Sequence, residues 1–215
     1  MPRSAPQSRS SVATPTVARI TRAERRRQLL AHAAHVFAER GYLNTTTELV
    51  AEVAEVSEVI FAKYFEDVPA LFHGVLEAAR LTMIGRWRAA TEVMADPLAR
   101  FHAVAEMLLR DARSGSPELL LVFRALAECE SEAALAPLRS FLMDCETFLA
   151  GIISEGQQAG VFRRSPDPRD GAWLLLHAAL GQAATRPLRL APLGEADSLS
   201  RAVEGLMHGL LKTDV

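Results

Sequence analysis

The sequence predicts an all-α protein built from a small three-helix head and a larger body of longer helices. Three observations carry that expectation. Ala and Leu supply most of the apolar content of a chain that is 49% hydrophobic, and both residues favour helix. Apolar residues recur three and four positions apart, and no segment alternates apolar and polar residues over the length of a strand. Helix-start signals precede the apolar segments at regular intervals, as Thr or Ser with Glu three residues on, or as Asp-Pro and Ser-Pro.

Residues 1–20, rich in Ser, Pro, Arg, Thr and Ala, read as a disordered basic tail. Thr21 and Glu24 then make a capping box. Leu29, Ala33, Val36, Phe37 and Arg40 follow at helical spacing, and Gly41 ends the helix, which is placed at 22–40. A second box, Thr45 to Glu48, opens a short helix to about Ala54. Ser57 caps a third, about 58–64, with Ile60, Phe61, Tyr64 and Phe65 as its apolar side. The two short helices are separated only by Glu55-Val56-Ser57, which is helix-turn-helix spacing. Pro69 fits the first turn of a long helix to about Met94. Asp96-Pro97 and Ser116-Pro117 open two more, to about Arg113 and Glu130. A further stretch covers 132–158, with Pro137 expected in its first turn. Asp167-Pro168 opens a helix to about Thr185, and after a loop with two prolines the last helix covers about 196–212. The expected division is a tail at 1–20, a head at 21–67 and a body at 68–215.

The net charge of −2 argues against a general nucleic-acid binder. Its distribution is uneven. Residues 1–27 hold seven arginines and one glutamate, whereas residues 28–79 hold two cations and eight anions. Cys129 and Cys145 have neither metal nor redox spacing and read as free buried thiols of a reducing compartment. No run approaches the roughly 18 apolar residues that span a membrane, and the N-terminus lacks a secretory core. The expectation is therefore a cytoplasmic protein with no membrane contact. His32 and His35 lie three apart on the first helix without further ligands at useful spacing, so they read as surface residues rather than a metal site. No phosphate-cradling glycine loop or nucleophile elbow is present, and neither catalytic residues nor a cofactor is expected.

Phe37-Ala38-Glu39-Arg40-Gly41-Tyr42, Thr45-Thr46, Val50-Ala51, Ala54 with Val56-Ser57, Phe61, Phe65 and Leu71-Phe72 together resemble the head of the tetracycline-repressor (TetR) family. The resemblance covers about 22–75 without a gap. It implies a dimeric transcriptional regulator, usually a repressor, that binds operator DNA through paired heads and is released by a small effector bound in the body. On that basis Arg22, Arg25, Arg26, Thr45, Thr46, Ser57, Lys63 and Tyr64 are the candidate DNA-contacting residues, and Tyr42 is a further plausible contact. The Arg-rich start of the first helix is suited to a flanking groove.

The sequence also departs from the family pattern. Glu55 replaces the usual turn glycine, Val59 a glycine after the cap serine, Ala62 a phosphate-binding tyrosine, Tyr64 a histidine and Val68 a lysine. Since phosphate neutralisation dominates DNA affinity, these replacements and the nearby anions leave a second reading open: a TetR-fold protein that has lost DNA binding and acts through a protein partner or metabolite.

In the body, an apolar pocket with few polar anchors is the expected effector site. Its candidates are Trp87, Phe101, Met107, Phe123, Phe148, Trp173 and His177, and the effector is expected to be mostly apolar. The small-residue stretch 172–184 and the apolar stripe Leu199, Val203, Leu206, Met207 and Leu210 point to a homodimer through the last two helices, as a four-helix bundle.

Overall fold

The computed structural model describes residues 20–165 and 167–188, with Arg201 and Gly205. Within them run α1 (Arg22–Arg40), α2 (Thr47–Val53), α3 (Glu58–Phe61), α4 (Val68–Thr91), α5 (Pro97–Ser114), α6 (Pro117–Glu128), α7 (Glu132–Gln158) and α8 (Pro168–Thr185), followed by a short 3-10 turn at Arg186–Leu188. Apart from Ile20, Arg201 and Gly205, the expected tail and last helix lie outside the described residues, as do all five residues of the predicted dimer stripe.

Local chemistry sets most helix starts. The side chains of Thr21, Ser57, Asp67, Asp96, Ser116 and Asp167 each accept a backbone N–H from the first turn that follows, which satisfies donors with no partner inside the helix. Glu24 does not reach back to Thr21; it pairs with Arg27 at 2.8 Å. Ser131 precedes α7 without a side-chain hydrogen bond to its first turn. Pro137 stands inside α7 and not in its first turn. Deep burial of its neighbours Ala134 and Leu138 holds the helix across the missing hydrogen bond.

α4 ties the two parts together. Its early residues Leu71, Phe72, Val75 and Leu76 are fully buried, with the Phe72 ring edge-on to Phe37 at 5.1 Å. The head core thus draws on residues beyond 67. Further along, Met83 and Trp87 enter the core of the body, where α7 packs against α4, α5 and α8. Gly156 faces Phe162 so closely that a Cβ there would stand 2.1 Å from the buried ring. Ion pairs cross the helix contacts: Arg80 joins Glu77 (2.7 Å) to Asp144 (2.6 Å), Arg100 meets Glu155, and Arg169 chelates the buried Glu146.

Candidate nucleic-acid interface

The helix-turn-helix pair is built from α2, a turn at Ala54–Ser57, and α3. Val50, Ala51 and Phe61 face inward and are buried. The turn closes through Val56 N–H donating to the Ala51 carbonyl at 3.0 Å. To make it, Glu55 takes φ of +53°, a left-handed conformation that costs an L residue about 1–2 kcal/mol. After Phe61 the chain tightens, with the N–H groups of Lys63 and Tyr64 bonding three residues back to Ile60 and Phe61.

The outward side of this pair is unobstructed. Ser57, Glu58, Val59, Ile60, Ala62 and Lys63 are all exposed, Val59 by 72% and Ile60 by 43%. Glu48, Glu52 and Glu58 line the groove between α2 and α3. The Glu48 carboxyl is held below the usual range by its own backbone N–H and then by the Thr46 and Thr47 hydroxyls, so it stays ionised as part of the α2 cap.

The start of α1 buttresses this unit from the side. Arg22 donates to the Lys63 carbonyl at 3.3 Å and lies 5.9 Å from the Tyr64 ring centre. Arg26 lies 5.2 Å from the Phe65 ring, and Arg25 donates to the Gln28 side chain at 3.2 Å. Arg22, Lys63 and Tyr64, far apart in sequence, therefore form one cluster at the end of α3.

Two expectations need correction. Thr46, not Thr45, caps α2, its hydroxyl accepting from Leu49 N–H at 3.2 Å. Thr45 is 4% exposed and donates its hydroxyl to the Gly41 carbonyl at 2.7 Å, so that hydroxyl is consumed inside the corner and faces no phosphate. Tyr42 packs at the junction of head and body, stacked 6.2 Å from Phe37 and edge-on to Phe72 at 4.9 Å. Burial, then the neighbouring Cys129 and Asp67, push its phenol up, against a smaller opposing effect of the Ser131 hydroxyl.

The sequence reading missed the contact that locks the corner. Leu43 N–H donates to Glu128 at 3.3 Å, and Arg124 donates to the Glu39 carbonyl at 2.7 Å. The end of α6 thus grips both sides of Gly41, whose φ is +82°. A Cβ at Gly41 would stand 2.2 Å from the Glu128 carboxylate. No local pattern marks Glu128, since its partners lie 85 residues earlier.

In the body, Trp87 and Phe101 are fully buried. Met107, Phe123, Phe148 and Trp173 are half-buried. Trp87 and Phe148 come together at 5.7 Å, whereas Phe101 meets Phe162 at 6.1 Å. His177 stacks near Trp173 at 5.4 Å but stands on the exposed side of α8 with Leu174, Ala178 and Gly181. The Trp87 indole N–H is buried and has no hydrogen-bond partner among the described residues. Cys129 and Cys145 are free and buried. Burial, helped by Asp144, pushes the Cys145 thiol up to about 12. Among the described residues no group of three or more His, Cys, Asp or Glu is placed to hold a metal, and no helix is long and apolar enough to cross a membrane.

Residues 29–75 match the bacterial regulatory proteins of the tetR family. No curated protein matches the chain. Its fold is similar to that of AibR, solved with isovaleryl coenzyme A and operator DNA (20% identity, 87% of this chain and 98% of that one, TM-score 0.67). It is also similar to the fatty acid degradation regulator FadR from Bacillus halodurans (16% identity, 86% and 98%, TM-score 0.74) and to the reduced form of NemR from E. coli (18% identity, 89% and 99%, TM-score 0.75). The head thus matches the tetR family of bacterial regulatory proteins by sequence, and the described length resembles solved regulators in fold.

Proposed function

We propose that the chain is a dimeric, ligand-responsive regulator that holds operator DNA through α3 and releases it when a small effector occupies the body. The observation that carries this reading is the outward presentation of α3, exposed from Ser57 to Ile60 and in part buttressed from behind by Arg22. The buttress brings a guanidinium to the edge of the recognition unit, where phosphate neutralisation is needed. Arg22, Arg25 and Arg26 serve the backbone. Thr46 and Ser57 present cap hydroxyls at the two helix starts, and Lys63 and Tyr64 flank the recognition turn.

The effector reading rests on Trp87. An orphan buried donor forfeits about 1–3 kcal/mol, and a ligand acceptor meeting the indole would recover it. The effector would be mostly apolar, with one acceptor near Trp87 and Phe148. Dimerisation rests on α8, where Leu174 (54% exposed), Ala178 and Gly181 form an open face of small and apolar groups. His177 lies on this same face, which suits an interface better than the effector pocket. Repression follows if the effector favours a state with the wrong spacing of heads.

Glu48, Glu52 and Glu58 beside α3 favour a rival, a tetR-fold protein that binds a partner other than DNA. The experiment that separates the two is a selection from double-stranded DNA with a random core, at physiological salt. A regulator enriches a palindromic site and retains it at nanomolar protein, and it drops the site when the effector is present. Failure to retain any duplex above the non-specific level rejects the operator reading.

A further inference from the structure

The chemistry of α3 carries the argument further, to the bases it reads; this rests on the operator reading above. Among the described residues the Glu58 side chain makes no hydrogen bond or ion pair, although every neighbouring group able to cap a helix is engaged. Beside it Val59 and Ile60 expose apolar surface next to the small Ala62. From Glu58 to Tyr64 there is no Arg, Asn or Gln, and the one cation able to donate to guanine, Lys63, lies in the turn after α3 and not on the helix itself. A carboxylate only accepts hydrogen bonds. It is repelled by the two acceptors that guanine shows in the major groove, and by adenine N7, but it fits the amino group of cytosine. Branched aliphatic groups with this exposure fit the C5 methyl of thymine.

We infer that the outward face of α3 reads pyrimidine edges, Glu58 accepting from the cytosine amino group and Val59 with Ile60 packing on thymine methyls. The glutamate that weakens phosphate attraction is on this account a specificity element, and the Arg-rich edge of α1 supplies the attraction it removes.

The test uses the full chain and duplexes selected from a library with a random 20-base-pair core. The expected half-site carries a cytosine beside a thymine. Replacing that thymine by deoxyuridine, which lacks only the methyl, weakens binding by about fourfold, and Val59→Ala removes this sensitivity. Glu58→Gln, at an exposed position that leaves the fold alone, moves the selected cytosine to adenine, because an amide donates as well as accepts. A selected site with guanine in place of the cytosine overturns the inference while leaving the operator reading intact, as does an unchanged site for Glu58→Gln or indifference to deoxyuridine. Retention of no duplex at all overturns both.

Discussion

The head has an inner side and an outer side, and each contains one backbone position with positive φ. On the inner side it is Gly41, at +82°, pressed against the Glu128 carboxylate from α6. On the outer side it is Glu55, at +53° and exposed. Two positive-φ positions thus have opposite solutions within fifteen residues of chain. Where head meets body, neither the backbone conformation nor the space admits a side chain. Where the head faces outward, a strained glutamate is tolerated, and its carboxylate adds to the acidic surface around α3. The inner side is specified by sterics and the outer side by the chemistry of what it meets.

The strongest way to break this contrast is Gly41→Ala. Its φ of +82° and ψ of 173° lie in a region nearly exclusive to glycine, and the added methyl displaces Glu128. We expect a loss of about 3 kcal/mol in chemical denaturation. Glu128→Ala in the same chain relieves the collision and returns about 1 kcal/mol of it. Equal stability of the single and double variants would show that the clasp is not coupled to the corner.

Next in size are the arginines. Arg22→Ala, Arg25→Ala and Arg26→Ala should each weaken binding of every duplex and lower the salt slope by about 1. Arg22→Ala is expected to have the largest effect, since it also withdraws support from Lys63 and Tyr64. Affinity and slope unchanged in all three would remove the edge of α1 from the interface. Lys63→Ala, by contrast, is expected to alter which sequences are preferred, read as a changed footprint.

The smallest effect expected is a gain. Glu55→Gly relaxes the left-handed turn and should stabilise the head by about 1 kcal/mol, measured as a higher midpoint in urea. The same change removes an anion beside α3 and should tighten non-specific DNA binding. Stabilisation without tighter binding would place Glu55 outside the field felt by DNA.

How far the sequence could be read followed the range of the interactions. α1 is observed at Arg22–Arg40, where the Thr21 cap and Gly41 stop placed it, and the Asp-Pro and Ser-Pro starts of α5, α6 and α8 are equally local. The choice between Thr45 and Thr46 as cap was not legible. Both are capable side chains, and the burial of Thr45 against the Gly41 carbonyl decides it. Tyr42 was equally ambiguous, because a tyrosine at a corner serves a phosphate or a core according to what packs over it. For Trp87 the sequence offers an indole but not the absence of a partner for its N–H.

The sequence by itself determined the described helices up to α8, the helix-turn-helix spacing and the unequal charge of arm and head, because caps, periodicity and residue charge act within a turn or two of chain. Only the tertiary structure decided that Glu128 closes on Gly41, that Arg22 reaches the end of α3 and that His177 faces outward from α8. Those contacts join residues up to 85 positions apart. Whether such groups meet depends on how whole helices pack, which no local pattern encodes.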